Sequence, residues 1–276
     1  MPSLRDCSFA RGWSLQSFHP FGIDSRVIKY MPMKEFIYSR NAVYETLRAK
    51  RRQVFSIEIA EGAQEKGKIE QILKLAKEQK SKISRAPRGK LDKIHENHQG
   101  VIAEVGAYPY VNVIDILERA RQKSELPFVL ILDSLQDPQN FGTLLRTAEA
   151  VGVHGIVIPL ARTVEVTPAV VNASSGASEH LLIAQSNLSQ AIDSLKDAET
   201  WIVGLDQHGV RMEANSRHLR GAVGLVVGSE GEGLRELTRK KCDILLKLPM
   251  RGEIESLNAA VAGSVMLYLG FWNRHK

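Results

Sequence analysis

The chain has 276 residues, of which 43% are hydrophobic and 25% charged, an ordinary balance for a globular protein. No apolar run reaches the roughly 18 residues that a membrane helix requires. Two cysteines, Cys7 and Cys242, cannot build a disulfide framework. The composition argues against a membrane-spanning chain and a disulfide-rich secreted domain, and we expect a reducing, cytoplasmic location.

Positive charge is concentrated in the first half of the chain. The net charge is +6, yet residues 1–127 carry 23 Lys and Arg against 15 Asp and Glu, whereas residues 128–276 carry 14 against 16. A basic excess is typical of a surface that binds a polyanion such as RNA or DNA. A solvated basic surface without a partner is equally consistent with the charge alone.

Three segments precede the apolar second half. Residues 1–32 show neither a helical nor a strand period. We expect a disordered extension that results from an over-extended start, with Met31 or Met33 as the first residue of the protein, rather than a transit peptide. We predict a small α/β domain over 33–108 and a linker over 109–127, which has a proline at each end. The predicted elements of the small domain are helices at 41–49 and 68–80, strands at 54–60 and 101–105, and a basic loop at 81–90.

Residues 128–276 alternate short apolar runs with helical patterns. Strands that are apolar throughout and alternate with helices indicate a parallel sheet covered on both faces. Ligands of such sheets bind at the carboxyl ends of the strands, so chemistry is expected in the segments that follow them. The predicted strands are at 129–132, 155–159, 181–184, 201–205, 223–227 and 244–248.

The first polar motif spans residues 137–148 and follows the strand that ends near Asp133. Asn140 is a favourable helix N-cap, since its side chain can accept a hydrogen bond from a backbone N–H group. Arg146 follows six residues later, within the next two turns. The same pattern also describes a capped helix with a surface arginine, so this motif alone does not define a site.

The second motif, Gly-Ser-Glu-Gly-Glu-Gly at 228–233, follows an apolar strand. Glycines such as Gly228 allow a backbone to approach a ligand closely. The glycine order matches neither a dinucleotide-binding loop nor a P-loop, and Glu230 and Glu232 would repel a phosphate group. The loop suits a ligand that lacks phosphates or carries positive charge, and a plain strand-to-helix turn is the alternative.

The third motif spans residues 248–262, where a strand ends at Leu248 and a loop leads to a helix of small and apolar residues. We predict that Ser256 begins this helix, either as a simple N-cap or as a ligand contact. Ser256 and Asn258 place two polar groups at the head of an apolar helix. Fixed donors and acceptors at that position can face a ligand.

Together, the three motifs resemble the signature motifs of the SpoU (TrmH-like) RNA 2′-O-ribose methyltransferases of the SPOUT superfamily. The patterns are Asn-x-Gly-x-x-x-Arg-Thr-Ala, Gly-Ser-Glu-Gly-x-Gly and Leu-Pro-Met-x-Gly-x-x-x-Ser-Leu-Asn, and the likeness covers about residues 128–272. Residues 33–108, with His98–Ala103 as their most recognisable part, resemble the substrate-binding domain of the ribosomal-RNA branch. Within that branch, the likeness is nearest to enzymes that methylate a guanosine of the large-subunit rRNA.

The resemblance implies a fold, a cofactor and an assembly. The fold is a parallel sheet with helices on both faces and a C-terminal trefoil knot, preceded by a small α/β substrate-binding domain. The cofactor is S-adenosylmethionine, held by the backbone of the knot loops at Gly228, Leu248 and Leu257. The assembly is a homodimer with the active site near the interface. The catalytic residues carried over by position are Asn140, Arg146, Glu230, Ser256 and Asn258.

The implied reaction moves a methyl group from a sulfonium to a ribose oxygen and requires no metal. Alignment of the two bound substrates should contribute much of the rate. The resemblance places Arg146 at the ribose hydroxyl, and because arginine is not deprotonated in proteins, a free-base arginine is not expected. We expect its guanidinium to bind the neighbouring phosphate and polarise the hydroxyl. Glu230 is expected to favour the sulfonium charge or to take up the proton.

Three alternatives to an rRNA ribose methyltransferase stay open. A non-catalytic RNA-binding protein would use the same basic N-terminal half, but it leaves the three motifs unexplained. A nucleotide-binding oxidoreductase or kinase would need a glycine order or a phosphate-binding lysine that the chain lacks. A tRNA ribose 2′-O-methyltransferase fits the motifs as well, and only the extra N-terminal domain favours rRNA.

The C-terminal segment 257–272 carries no charged side chain and predicts a helix that is buried on nearly all sides. Met266 and Leu269 are expected to widen its apolar surface. We expect a second copy of the chain to cover what the sheet leaves uncovered, and burial within the monomer is the alternative. The apolar stripe along the helix consists of Leu257, Val261, Val265, Tyr268 and Trp272.

Overall fold

The computed structural model describes residues 34–213, 217–253 and 256–275, which hold a four-stranded and a six-stranded β-sheet. Both sheets belong to one unit, Met33–Lys276. Buried apolar side chains of the two sheets join in one continuous core cluster, which includes Ile57 of the first sheet and Leu130 of the second. The extension predicted at 1–32 lies outside the described residues.

The smaller sheet is built by the first seven elements of the chain. They are β1 (Glu35–Tyr38), α1 (Arg40–Ala49), β2 (Val54–Ala60), α2 (Lys68–Glu78), β3 (Lys82–Ala86), α3 (Arg88–Asp92) and β4 (Val101–Val105). The strand order is β1-β4-β2-β3, in which β4 pairs antiparallel with β1 and β2, and β2 pairs parallel with β3. Helices α1 and α2 bury one apolar face each, with Leu47 and Ile72 fully buried. We call residues 34–108 the substrate domain, after the substrate-binding domain that they resemble.

The prediction of a basic loop at 81–90 is wrong, because β3 and α3 occupy this segment. β3 pairs with β2 over the register from Ser56↔Lys82 to Ala60↔Ala86. Lys82 and Arg85 are exposed, whereas Ala86 is buried. The segment forms a strand because it completes the sheet edge, and such pairing outweighs the weak local propensity of a charged sequence.

The larger sheet has six parallel strands in the order β10-β8-β9-β5-β6-β7. Its strands are β5 (Phe128–Asp133), β6 (Gly155–Pro159), β7 (Ile183–Ser186), β8 (Trp201–Arg211), β9 (Val223–Gly228) and β10 (Ile244–Lys247). Its helices are α4 (Val113–Gln122), α5 (Pro138–Ala150), α6 (Pro168–Ala173), α7 (Leu188–Asp197), α8 (Glu236–Lys241) and α9 (Ala259–Arg274). The predicted strand that begins at Trp201 extends to Arg211, well beyond Leu205.

Helices cover both faces of the larger sheet, as predicted. Along β5, Leu130 and Leu132 share a core cluster with residues of α5 and α9, whereas Val129 and Ile131 belong to a second cluster with α4 and α7. Every residue of β5, β6 and β9 is buried. Uninterrupted apolar runs in these strands follow from burial on both faces.

The linker predicted at 109–127 is largely helix α4. Asn112 and Asp115 form a capping box at its start, and Ile116 is fully buried in the cluster that covers β5. The prolines at the two ends of the segment mark its junctions but do not make it irregular. A cut after residue 127 would therefore strip one helix from the larger sheet.

Helix α9 has one buried and one exposed side, which corrects the expectation that it is buried nearly all round. Met266 is fully buried within the chain, so it does not widen the exposed apolar surface that a second copy could cover. The helix packs closely on α5 and on the sheet, since a Cβ atom on Gly263 would lie 2.7 Å from Leu144 of α5 and 3.2 Å from Val227 of β9. The residues of the stripe are 38–55% exposed; they are Leu257, Val261, Val265, Tyr268 and Trp272. Among the described helices, none is long and apolar enough to cross a membrane.

Candidate functional site

The three polar motifs meet at one edge of the larger sheet. β5 ends at Asp133 and β9 ends at Gly228, and these neighbouring strands pair in parallel along their whole length. Loops that leave parallel strands at their carboxyl ends lie side by side, and ligands of α/β sheets bind at that edge. The residues that follow β5, β9 and β10 therefore define the candidate site.

The start of α5 directs Asn140 towards the sheet edge. The prediction that Asn140 is the N-cap is wrong, because the carboxylate of Asp137 accepts the hydrogen bond of the Asn140 backbone N–H at 2.9 Å. Pro138 takes the first helical position, where its missing N–H costs nothing. Because Asp137 supplies the cap, the side chain of Asn140 makes its contacts elsewhere.

One side chain from each motif joins a single hydrogen-bonded cluster. The Asn140 amide donates to Oε1 of Glu230 at 2.6 Å. The Asn258 amide donates to the same carboxylate oxygen, and it lies 3.1 Å from Oδ1 of Asn140. The sequence separates Asn140 from Asn258 by 118 positions, so only the fold brings these groups together.

Asn258, and not Ser256, caps helix α9. Its Oδ1 accepts hydrogen bonds from the backbone N–H groups of Ala260 and Val261, at 2.9 and 3.1 Å. The prediction that Ser256 begins this helix is wrong by two residues. One side chain thus has two tasks: the oxygen of Asn258 fixes the helix, and its amide nitrogen fixes Glu230.

The glycines after β9 shape a tight loop with Glu230 near its tip. The backbones of Ser229 and Gly233 exchange two hydrogen bonds of 3.1 Å. Gly233 has a φ of 69°, a conformation that glycine adopts without cost. A Cβ atom on Gly228 would lie 2.2 Å from the backbone of Gly233, so no side chain fits there.

An ion pair that we did not predict anchors the end of this loop. Asp133, fully buried at the end of β5, accepts hydrogen bonds from the backbone N–H of Arg235 at 2.9 Å and from its Nε at 2.5 Å. The pair fixes the residues after Gly233 to the central strand. A carboxylate that ends an otherwise apolar strand is a signal by which the sequence could have revealed it.

A cavity of about 790 Å³ opens beside the cluster. Its size is in the range of sites for small molecules and cofactors. Asp206 and Arg239, joined by an ion pair of 2.5 Å, line it as well. Six of the eight predicted site residues line it: Gly228, Glu230, Leu248, Ser256, Leu257 and Asn258.

Arg146 lies on the same helix as Asn140 but outside the hydrogen-bonded cluster. Six residues at 1.5 Å each place it about 9 Å further along α5. Its side chain is exposed, and Nη1 donates to Oγ of Ser175 at 3.3 Å. Within the described residues, no group of His, Cys, Asp and Glu side chains is arranged to hold a metal ion.

Two family models match the chain. The model of the SpoU rRNA Methylase family matches residues 127–268, which contain all six strands of the larger sheet. The model of RNA 2'-O ribose methyltransferase substrate binding matches residues 36–111, which coincide with most of the substrate domain.

Relatives are similar over most of the chain. YacO of Bacillus subtilis (strain 168), whose name places it in the TrmH family of tRNA/rRNA methyltransferases, is 43% identical over 236 residues; these cover 85% of this chain and 94% of YacO. A similarly named Staphylococcus aureus (strain MSSA476) protein is 41% identical over 243 residues, which cover 87% of this chain and 96% of that protein.

Solved structures share the fold at low identity. The SpoU methyltransferase AviRb from Streptomyces viridochromogenes, solved in complex with AdoMet, has a TM-score of 0.75 at 21% identity, covering 88% of this chain and 91% of AviRb. An AdoMet-bound rRNA methyltransferase from Sinorhizobium meliloti has a TM-score of 0.69 at 21% identity and covers 86% of each chain.

The parallel sheet, its polar cluster and the matched models define the class of protein as an RNA methyltransferase. The chain belongs to the SpoU rRNA methylase family, which confirms the resemblance stated from its motifs. Members of this family take their methyl group from S-adenosylmethionine, and so does this chain.

Proposed function

We propose that this protein methylates the 2′-hydroxyl of a guanosine ribose in large-subunit ribosomal RNA. One observation carries the proposal: Asn140, Glu230 and Asn258 converge beside a cofactor-sized cavity, and Arg146 follows on the same helix. Such an arrangement suits alignment of two bound substrates, which is what an in-line methyl transfer needs.

The volume of the cavity is in the range of cofactor sites, which supports our proposal that it holds S-adenosylmethionine. We propose that the backbone at Gly228, Leu248 and Leu257 holds it, because the residues around Gly228 leave no room for a side chain. The wall carries both signs of charge: Glu230 and Glu232 can stabilise a cationic sulfur, and Arg211, Arg239 and Lys247 can stabilise a carboxylate. When bound, the cofactor supplies a methyl group on a positively charged sulfur.

The reacting groups are the ribose oxygen and the methyl carbon. A new O–CH₃ bond forms, the S–CH₃ bond breaks, and the hydroxyl proton leaves. In our proposal, the guanidinium of Arg146 binds the adjacent phosphate and polarises the hydroxyl, since a guanidinium keeps its proton in proteins and does not act as a base. Ser256 and the two asparagines orient the ribose and Glu230. Glu230 would accept the hydroxyl proton, or it would stabilise the positive charge of the sulfur while the proton passes to water.

The choice of ribosomal over transfer RNA rests on the substrate domain. Most of the excess positive charge lies in residues 1–127, in the half of the chain that contains this domain. A separate basic domain can hold a large structured RNA while the site acts on one ribose. A tRNA ribose methyltransferase is the second candidate, and the names of the relatives include both substrates.

Label transfer from S-adenosylmethionine tests the proposed function. The full chain is incubated with ribosomal RNA or with tRNA, each from cells that lack this protein, and the modified nucleotide is identified by digestion and mass spectrometry. We expect label in 2′-O-methylguanosine of the large-subunit rRNA. Label confined to tRNA, label on a base, or RNA binding without label would each contradict the proposal.

We propose that the protein is a homodimer through α9. Four apolar side chains of the exposed stripe lie on this helix, among them Val265 at 42% and Trp272 at 55% exposure, and the fifth, Leu257, precedes it. Contiguous exposed apolar surface on a soluble domain is typical of a binding surface. A second copy of the same helix has the matching apolar character.

Light scattering of Val265→Glu tests the dimer, because a buried unpaired carboxylate would oppose association. We expect the wild type to be dimeric and Val265→Glu to be monomeric. Leu237→Glu is the matched control, since Leu237 is 60% exposed on α8 and lies outside the stripe. A wild type that is monomeric at micromolar concentration and fully active would refute the dimer.

The C-terminal trefoil knot and the cytoplasmic location stay predictions. β10 lies beside β8 at one edge of the sheet, and the chain then returns to pack α9 against α5 and β9. We propose that this return passes through the loops that border the cavity. The knot would then hold the cofactor loops in a fixed shape.

A further inference from the structure

A short turn lies between helix α5, which carries Asn140 and Arg146, and the substrate domain. Residues 174–181 follow α6 and include a 3₁₀ helix at Ala177–His180; we call them the bridging turn. On the catalytic side, a Cβ atom on Gly142 of α5 would lie 2.8 Å from the backbone nitrogen of Ser174. On the other side, a Cβ atom on Gly176 would lie 2.5 Å from Cβ of Glu45 in α1. The turn is in close contact with both.

A buried ion pair fixes the bridging turn to the substrate domain. Nε of Arg52 lies 3.0 Å from Oε2 of Glu179, and both side chains are fully buried. Arg52 also pairs with Glu35 of β1 at 2.6 Å. Breaking such a pair leaves an uncompensated buried charge, so the contact strongly resists separation of the turn from the domain.

Further contacts from the substrate domain hold the main chain of the turn. The Tyr108 hydroxyl lies 2.9 and 2.8 Å from the carbonyl oxygens of Ser178 and Leu181. Nε2 of His180 lies 2.8 Å from Oε2 of Glu45. Successive residues of the turn are thus held by side chains of the other domain.

At the end of the turn that contacts α5, the hydroxyl of Ser175 faces Arg146. Oγ of Ser175 accepts the hydrogen bond from Nη1 of Arg146 at 3.3 Å. Ser175 has a φ of 54° and Gly176 a φ of 87°, so two consecutive residues adopt the left-handed conformation. This conformation caps the end of α6, because the backbone N–H groups of Ser175 and Gly176 donate to the carbonyl oxygens of Asn172 and Val171 at 2.9 and 2.8 Å. The substrate domain fixes the position of the capped end through its close contact with Gly176 and its contacts with residues 178–181.

We infer that Ser175 is a positioning residue that orients the guanidinium of Arg146, and that the substrate domain holds Ser175 in place through the bridging turn. The inference rests on the proposed function, in which Arg146 acts on the ribose hydroxyl. The substrate domain then has two roles, because it binds RNA and also braces the catalytic arginine.

Two substitutions of Ser175 separate its hydroxyl from its backbone conformation. Ser175→Ala and Ser175→Gly both remove the acceptor, but only glycine adopts a positive φ without strain. We expect kcat to fall about tenfold to hundredfold in both variants, the range for a hydrogen bond to a charged group. KM for RNA and for S-adenosylmethionine should stay within about twofold, since binding contacts are retained.

The matched control is Ser194→Ala, which removes an exposed serine hydroxyl that donates to the carbonyl of Gln190 on α7. It should keep the wild-type kcat. A defect in Ser175→Ala that is absent in Ser175→Gly would assign the effect to backbone strain and overturn the role of the hydroxyl. Unchanged kcat in both variants would overturn it as well.

Arg52→Lys tests whether the substrate domain holds Ser175 in place through the bridging turn. Lysine keeps a positive charge beside Glu179 but loses the planar fork that reaches Glu35 and Glu179 together. We expect a lower kcat with unchanged affinity for RNA. A wild-type kcat in folded Arg52→Lys, together with slow Ser175 variants, would overturn the bracing role of the domain.

A readout without activity separates this inference from the proposed function. NMR relaxation of the Nε–Hε group of Arg146 reports how firmly its guanidinium is held. We expect greater mobility in Ser175→Ala and Ser175→Gly than in the wild type and in Ser194→Ala. If the wild type methylates no RNA but the Arg146 signal still loosens, the proposed function fails and the positioning role stands. Equal mobility in all four proteins would overturn the positioning role.

Discussion

The two sheets differ in burial, in strand direction and in charge. The strands at the centre of the larger sheet are buried along their whole length, whereas β2 and β3 of the smaller sheet are buried only in part. The larger sheet is parallel, and the smaller one is mainly antiparallel. Most of the excess positive charge lies in residues 1–127, which include the smaller sheet.

The comparison indicates that the two sheets have different roles in one chain. A parallel sheet delivers all its strand ends to one edge, so distant motifs meet there and form a site. The smaller sheet has an exposed edge strand, β3, and its exposed Lys82 is suited to contact a polyanion. Substitutions in the two regions should therefore have different effects.

Arg146→Ala should have the largest effect. Because Arg146 is proposed to polarise the ribose hydroxyl, we expect methyl transfer to fall by at least about a hundredfold, as for other groups that stabilise charge in a transition state. Cofactor binding should be retained, because Arg146 lies outside the cavity wall. Calorimetry with S-adenosylhomocysteine should give a near wild-type affinity. Arg121→Ala, which removes an exposed arginine of α4, should keep both properties. Loss of cofactor binding in folded Arg146→Ala would contradict its assignment to the RNA substrate.

Gly228→Ala should reduce cofactor affinity and leave RNA affinity intact. The added Cβ atom would lie 2.2 Å from the backbone of Gly233 and would displace the loop that carries Glu230. We expect the Kd for S-adenosylhomocysteine to rise by about tenfold or more, which corresponds to a loss of about 1.4 kcal/mol or more of binding free energy. Gly89→Ala in the substrate domain is the control, since nothing lies within 4 Å of its Cβ position. Wild-type cofactor affinity in Gly228→Ala would remove this loop from the site.

A smaller effect, on the free energy of unfolding, is expected from a change of pH. It involves His154, which lies just before β6, at the end of the larger sheet where the strands begin. Nδ1 of buried His154 accepts the backbone N–H of Phe128 at 3.0 Å, and Nε2 faces Glu125. Burial lowers the pKa of His154 below the usual 6.5. The folded state therefore binds fewer protons there than the unfolded state, and its stability should decline as the pH falls below 6.5.

Urea unfolding of the wild type and of His154→Gln from pH 7.5 to pH 5 tests this expectation. The difference in the free energy of unfolding between the two proteins should shrink as the pH falls. A difference that stays constant with pH would show that His154 does not titrate differently in the folded state.

The smallest effect is expected from a single surface lysine of the substrate domain. Lys82 is exposed on the edge strand β3. If it contacts a phosphate, Lys82→Ala should reduce the slope of log affinity against log salt by about one and leave cofactor affinity unchanged. Lys240→Ala on α8 should not alter the slope. Equal changes in the two variants would contradict the division between the regions.

Sequence reasoning was strongest where local pattern and global fold agree. The strands of the larger sheet are apolar throughout because they are buried on both faces, and this pattern predicted their places. The glycines and polar residues after β9 and β10 predicted that Glu230 and Asn258 face a site. Each of these residues follows a strand end, and parallel topology brings strand ends together.

The remaining features depend on partners that are distant in the chain. Strand β3 exists because β2 pairs with it, and the predicted linker is a helix because Ile116 packs against the larger sheet. The ion pair of Asp133 with Arg235 joins residues 102 positions apart. Contacts between distant residues produce no helical or strand period in the sequence, so periodicity alone could not predict them.

Mapping of ribose methylation in living cells tests the central claim most directly. Total RNA from the wild type, from a strain without this protein and from strains complemented with wild-type protein or Glu230→Ala is compared at every 2′-hydroxyl. The account predicts that one guanosine of the large-subunit rRNA loses its 2′-O-methyl group in the deletion strain, regains it with the wild-type protein and lacks it with Glu230→Ala. An unchanged rRNA pattern, or a loss confined to tRNA, would contradict the account.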